Sequence, residues 1–253
     1  MKQLVILAGG KGTRLKERTG DHPKGMIPVC GKPVLEHQIE LAQRYKFDDI
    51  QLLVGYGADE IVWYFGSGER WGIPLTYQFD RDLLGTTHSL LHAFNRLAPT
   101  FFVLYGDEMV DVDLDLMGFF HKYHHADVTM LVHPSDHPED SDLVEVDSSD
   151  NIQRFYRRSW DNAYGNVYDD QVPLSIAPLY VMQKLQLDYW RFAIPITKSP
   201  NIARDLFPLM LANKRRLMAY RSDEYIKDIG TPERYDSVCA EWEHRHDHQS
   251  HSA

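Results

Sequence analysis

Cysteine is scarce in this sequence: Cys30 and Cys239 are the only two among 253 residues. A single bridge cannot staple a chain of this size, which predicts a protein of a reduced compartment, the cytoplasm. Long apolar runs are missing as well. The best candidates, such as residues 101–105, are strand-sized and fall far short of the roughly 18–20 residues that span a bilayer, so no membrane partner is expected. The opening Met1-Lys2-Gln3 leads into a short aliphatic run and then glycines, without the longer apolar stretch and cleavage site of a secretory signal. Basic excess is the third absence. Lys and Arg number 27 against 37 Asp and Glu, a formal net charge of −10, which argues against a nucleic-acid partner. An acidic chain can still hold a small anion through a few placed Lys, Arg and backbone N–H groups. The content of 43% hydrophobic and 25% charged residues is that of a soluble globular protein, which excludes a disordered chain, a collagen and a coiled coil.

Short aliphatic runs without polar alternation recur at 2–7, 50–54, 101–105 and 128–132, and read as strands buried on both faces. Between them, residues 34–45 carry Leu35, Ile39 and Ala42 at helical spacing behind Pro33, and helices are also predicted at 58–65, 86–97 and 114–125. This alternation predicts an α/β fold: a Rossmann-like, mostly parallel sheet with helices on both faces. After Pro134 the pattern changes to runs at 143–146, 152–156 and 174–182, read as a smaller antiparallel sheet insertion, followed by helices at 202–212 and 232–242. Residues 1–243 are taken as one domain, with a nucleotide-binding part at about 1–133 and an acceptor-binding part at about 134–243. The His-rich tail 244–253 is expected to fray.

The most informative segment is Leu7-Ala8-Gly9-Gly10-Lys11-Gly12-Thr13-Arg14-Leu15. Glycines directly after a buried parallel strand let backbone N–H groups approach a phosphate at the ligand-binding edge of the sheet. Arg14 adds a planar fork suited to phosphate oxygens. A Walker A loop is excluded because no Gly-x4-Gly-Lys-Ser/Thr is present, and the dinucleotide fingerprint fails because Leu15 stands where its third glycine is needed.

The glycine loop is joined by Pro23-Lys24-Gly25-Met26-Ile27-Pro28-Val29, Gly31-Lys32-Pro33-Val34-Leu35-Glu36, Leu84-Gly85-Thr86, Tyr105-Gly106-Asp107 and Lys227-Asp228-Ile229-Gly230-Thr231-Pro232-Glu233-Arg234. With these motifs the chain resembles the sugar-1-phosphate nucleotidyltransferases, over essentially its whole length. The segments 133–142 and 222–235 look most like the D-glycero-D-manno-heptose 1-phosphate guanylyltransferase branch. The resemblance implies Mg2+-dependent transfer of a nucleotidyl group from a nucleoside triphosphate, GTP favoured, to a sugar 1-phosphate, and it leaves a homo-oligomer open. Matching residue by residue, it implies catalytic roles for Arg14 and Lys24, and nucleotide contacts from Leu7, Ala8, Gly9, Gly10, Gly12, Thr13, Gly85, Thr86 and Gly106. It implies Mg2+ ligation by Asp107 and Asp228, and acceptor contacts from Arg158, Ile176 and Tyr180.

Three stretches depart from the family pattern. Thr87-His88-Ser89 follows the Leu-Gly-Thr motif where relatives have small residues. Phe155-Tyr156-Arg157-Arg158 stands where a Glu-Lys pair is usual. Ile176-Ala177-Pro178-Leu179-Tyr180 replaces Asn-Ala-Gly-x-Tyr. These changes fall on the acceptor side or the pocket wall, and they keep a mannose- or glucose-1-phosphate enzyme and a non-catalytic nucleotide-sugar-binding subunit as alternatives. A glycosyltransferase reading rests on Asp111-Val112-Asp113 alone and is weak. The histidines at 121, 124, 125, 133 and 137 and in the tail read as surface residues rather than a metal site.

Overall fold

The apolar runs of the sequence become strands. In chain order these are β1 (Gln3–Ala8), β2 (Pro28–Val29), β3 (Lys32–Pro33), β4 (Asp49–Val54), β5 (Leu75–Phe79), β6 (Thr100–Tyr105), β7 (Glu108–Asp111), β8 (Val128–Pro134), β9 (Leu143–Val146), β10 (Ile152–Tyr156), β11 (Leu174–Gln183), β12 (Leu217–Arg221) and β13 (Tyr225–Asp228). The α-helices are α1 (Val34–Arg44), α2 (Ala58–Phe65), α3 (Thr86–His92), α4 (Leu114–Tyr123), α5 (Lys184–Trp190), α6 (Phe207–Ala212) and α7 (Pro232–Ser250). The computed structural model describes residues 1–16, 20–80, 85–134, 141–156, 173–190 and 199–250, with side chains to Arg245 in the last of these. The chain divides into two compact units. One holds Met1–Leu83, Leu104–Val112 and Glu224–Ala253, the other Leu84–Val103 and Asp113–Asp223. The two units interleave along the chain.

In the first unit β1 runs parallel to β4, and β4 parallel to β5. Leu4, Val5, Ile6, Ile50, Leu52 and Val54 are all fully buried, so successive side chains on both faces are covered, as a parallel sheet between helices requires. Leu35, Ile39 and Ala42 of α1 are fully buried, as their spacing predicted. Beside them the buried Glu36 carboxylate accepts from Tyr64 Oη at 2.6 Å and Arg70 Nη2 at 2.9 Å, which ties α1 to α2 and the turn after it. Gln38, also on α1, donates to the carbonyls of Tyr105 and Glu108, both at 2.8 Å. The turn that carries Gly106 and Asp107 is thereby clamped from behind. β7 and β13 pair antiparallel, with Asp228 opposite Glu108. A second cluster joins Leu15, Ile27, Val29, Val34, Met109, Ile229, Val238 and Trp242, and the last two bring α7 onto these loops.

In the second unit β8 pairs parallel with β12 and antiparallel with β11, and β9 pairs antiparallel with both β10 and β11. The β11 register slips between Ile176 and Tyr180, which stand opposite Val132 and Met130. Pro178 lies inside this bulge, where its missing N–H interrupts no regular ladder. His121 is a core residue, not a surface one, and this corrects the sequence reading. Gln183 Nε2 donates to its Nε2 at 3.0 Å, so Nδ1 carries the proton and donates to Thr129 Oγ1 at 2.9 Å. Burial, against a smaller opposing effect from Asp127, pushes the His121 pKa down to about 4. The unfolded chain therefore takes up the proton first as pH falls below about 6.5, and stability is lost between there and about 4. We expect a loss of ~2 kcal/mol between pH 7 and 5 by urea titration, largely abolished in His121→Gln. An equal pH dependence in both proteins would refute the assignment.

The α/β class and the mixed, mostly parallel sheet with smaller antiparallel parts agree with the sequence reading. Several short elements escaped it. The sequence reading did not place β7, β12, β13 and α5, and it continued α3 across the break at Ala93 that precedes a 3-10 turn at Phe94–Arg96. α7 runs to Ser250, where a frayed tail was expected from 244. No glycine or proline interrupts residues 233–250, and Arg245 Nη2 reaches Asp111 Oδ2 at 3.0 Å.

Candidate functional site

The glycine loop leaves β1 at Ala8 and closes into a 3-10 turn at Thr13–Leu15. Leu15 is fully buried in the second cluster, which anchors the loop and turns Arg14 outward. Gly10, Thr13 and Arg14 are exposed, and Arg14 forms no ion pair among the described residues. Lys24 comes up beside the loop, its N–H donating to the Gly10 carbonyl at 3.3 Å. Gly106 N–H donates to the Leu7 carbonyl at 3.0 Å, which sets Asp107 next to the same strand end. Of the sequence candidates in this unit, Leu7–Gly10, Gly12, Thr13, Lys24, Gly106 and Asp107 thus lie on connected backbone.

Asp107, in the turn before β7, is brought beside Asp228 by the pairing of β7 with β13. Ile229 N–H donates to the Asp107 carbonyl at 3.0 Å. Lys24 Nζ forms an ion pair with Asp107. Asp228 is held at both oxygens, Oδ1 by Gly230 N–H at 2.7 Å and Oδ2 by Arg234 Nη1 at 2.7 Å. A Cβ at position 230 would meet Asp228 Oδ1 at 2.3 Å, so a side chain there would push the carboxylate out of this position. Glu108 lies behind the group, 4% exposed. Burial, then the nearby Asp107 and Asp228, push its carboxyl well above the usual range, with Lys24 and Arg234 pulling the other way, which favours the neutral acid. Glu108, Gly230 and Arg234 had no role in the sequence reading, although each sits inside or beside a motif that it used.

The donor set suits a hard cation. Mg2+ is commonly held by one or two carboxylates with substrate phosphates and water completing its shell. Asp107 and Asp228 offer a carboxylate pair of that kind, and among the described residues no group of three His, Cys, Asp or Glu side chains could hold an ion unaided.

The other candidates lie in the second unit. Gly85 has φ +98°, and a Cβ there would meet Pro200 O and Ser199 C at 2.6 Å. The backbone of residues 199–200 is thus one physical reason for glycine at this position, beside the nucleobase contact that the resemblance implies. Thr86 Oγ1 accepts from Ile202 N–H at 3.0 Å. Ile176 is 9% and Tyr180 2% exposed, and the Tyr180 ring packs edge-on against Phe207 at 5.0 Å. Tyr180 is therefore a core side chain of its unit. Arg157 and Arg158, like Leu84 and His137, lie outside the described residues.

A glycine loop at a strand end, a lysine beside it and two nearby aspartates thus stand together in one unit of this α/β chain. The nucleotidyl transferase family matches residues 3–244, and the chain belongs to that family. It is 30% identical over 240 residues to the UTP--glucose-1-phosphate uridylyltransferase of Synechocystis, covering 89% of this chain and 59% of that protein. It is 29% identical over 231 residues to the mannose-1-phosphate guanylyltransferase of Mycobacterium tuberculosis, covering 90% and 61%. The chain thus spans about three-fifths of the length of these two relatives. HddC from Yersinia pseudotuberculosis shares the fold, with a TM-score of 0.75 at 24% identity, covering 96% of this chain and all of that one.

Proposed function

We propose that this protein is a Mg2+-dependent sugar-1-phosphate nucleotidyltransferase that joins GTP to a heptose 1-phosphate. The observation that carries the reaction class is the assembly of the glycine loop, Lys24, Asp107 and Asp228 on adjoining turns of one unit. An acceptor phosphate oxygen attacks the α-phosphorus, the bond from that phosphorus to the bridging oxygen breaks, and pyrophosphate leaves. The acceptor phosphate has a second pKa of about 6, so no strong base is needed, and positioning with charge neutralisation carries catalysis. Loop N–H groups and Arg14 bind the triphosphate and stabilise the departing pyrophosphate. Lys24 passes from Asp107 to the phosphates at the reacting centre. Asp107 and Asp228 would hold Mg2+, which when bound would supply positive charge to the phosphate oxygens. Arg234 and Gly230 N–H orient Asp228.

The substrate choice rests on the sequence of residues 133–142 and 222–235. The relatives named above include both uridylyl and guanylyl enzymes and both glucose and mannose acceptors. The test is a matrix of nucleoside triphosphates against sugar 1-phosphates, scored by pyrophosphate release. GTP with D-glycero-D-manno-heptose 1-phosphate should exceed the other pairs in kcat/KM. Faster turnover with mannose or glucose 1-phosphate would replace the heptose assignment, and no turnover with any pair would favour the nucleotide-sugar-binding subunit.

A further inference from the structure

One segment of the second unit touches Gly85, Thr86 and Tyr180 directly and reaches Ile176 through Asp142, and the reaction as read so far gives it no part. It begins at Ser199 and runs through the π-helical turn Ile202–Leu206 into α6. At its start Pro200 O accepts from Thr87 N–H at 3.1 Å, the backbone of 199–200 fills the space that a Cβ on Gly85 would need, and Ile202 N–H donates to Thr86 Oγ1 at 3.0 Å. Asn201 then caps the turn, its Oδ1 accepting from Ala203 and Arg204 N–H at 2.8 and 3.1 Å. Ile202 and Leu206 are fully buried. Arg204 Nε donates to both carboxylate oxygens of Asp142, at 2.9 and 3.1 Å. The Asp142 carbonyl in turn accepts from Ile176 N–H at 2.9 Å. Phe207, directly after the turn, is the residue against which Tyr180 packs.

A π-helical turn is rare, and is frequent at functional sites. This one presents backbone groups to the Gly85-Thr86 turn, a guanidinium to the residue that holds Ile176, and a ring to Tyr180. The structure assigns to residues 199–207 the role of a strut that sets the nucleotide-side turn at Gly85-Thr86 and the acceptor-side strand β11 in one register. Arg204 is its positioning residue, acting through Asp142 on Ile176. This assignment rests on the nucleotidyltransferase reading for what the two ends bind, while the mechanical link is independent of it.

The geometry also says how the role differs from plain structural support. Arg204 and Asp142 side chains are 52% and 25% exposed, so their pair contributes little to global stability. Removing it should therefore leave the melting temperature nearly unchanged while loosening β11. In Arg204→Ala we expect amide hydrogen exchange at Ile176 to quicken by ~10-fold, with a smaller rise at Thr87 and Ile202, and none at Val5 or Leu52 in the first unit. The acceptor KM should rise by roughly 10-fold, with the triphosphate KM within about twofold. Arg204→Lys, which keeps one contact to Asp142, should recover part of both effects. Asp142→Ala should quicken exchange at Ile176 as well, and the double variant should fall short of the sum of the two, because the singles share the Arg204–Asp142 contact. Unchanged exchange at Ile176 in a folded Arg204→Ala protein would overturn the strut. A general rise in exchange with a large fall in melting temperature would do so as well, since it would mark Arg204 as ordinary scaffold. If exchange changes as expected but no substrate pair turns over in the unaltered protein, the strut stands and the nucleotidyltransferase reading fails.

Discussion

Asp107→Asn and Asp228→Asn should each lower turnover by ~10²-fold or more, because an amide is a poor Mg2+ ligand and carries no charge to balance the phosphates' counter-ions. The structure sharpens the expectation for Asp228. Both of its oxygens accept, one from Gly230 N–H and one from Arg234. Asparagine has one acceptor oxygen and one donor nitrogen, so one of these partners would face a donor. Asp228→Asn should thus lose orientation as well as charge. Asp107→Asn should chiefly lose the pair with Lys24 and the metal charge. Both variants should fold, since these side chains are partly exposed, and circular dichroism with a melting curve checks this. Pyrophosphate release is then measured at limiting and saturating Mg2+. Near-normal turnover of both variants at limiting Mg2+ would sink the metal assignment.

The second large effect is expected at Arg14. Its side chain is exposed at the crest of the glycine loop while Leu15 is held in the core. Arg14→Ala should lower kcat by ~10²-fold and raise the triphosphate KM much less, if the guanidinium acts on charge that develops as pyrophosphate departs. Arg14→Lys should restore charge without the planar fork and recover part of the rate. An unchanged kcat with a large rise in KM would make Arg14 a binding residue only. Because Leu15 supplies the anchor, stability should barely respond to either change, which separates a catalytic loss from a folding one.

Both predictions concern residues that stand in the sequence as recognisable strings, and the reason is local. A glycine turn after a buried strand, a proline before a helix and an apolar pattern of period 3.6 each depend on a few neighbouring residues. β1, the loop to Arg14, and α1 with Leu35, Ile39 and Ala42 inward were legible for that reason. So was the α/β class, because an uninterrupted aliphatic run such as Leu4 to Ile6, buried throughout, makes sense only when both faces are covered.

Tertiary structure decided what depends on distant partners. β7 and β13 are four residues each, and neither has a pattern of its own. They are strands because they pair, and that pairing sets Asp228 opposite Glu108 and beside Asp107. The burial that favours a neutral Glu108, and the Asn201 turn that reaches Gly85 and Asp142, arise in the same way. His121 shows the opposite limit. On a helix followed by His124 and His125 it reads as surface, yet Thr129 and Gln183 from two strands accept it into the core. The sequence by itself determined the class of fold, the glycine loop and the residue types available for chemistry, because these follow from short-range sterics and periodicity. Which carboxylates meet, which histidine is buried, and how residues 199–207 join Thr86 to Ile176 were decided by strand pairing and packing between segments far apart in the chain, where no local preference of either partner specifies the other.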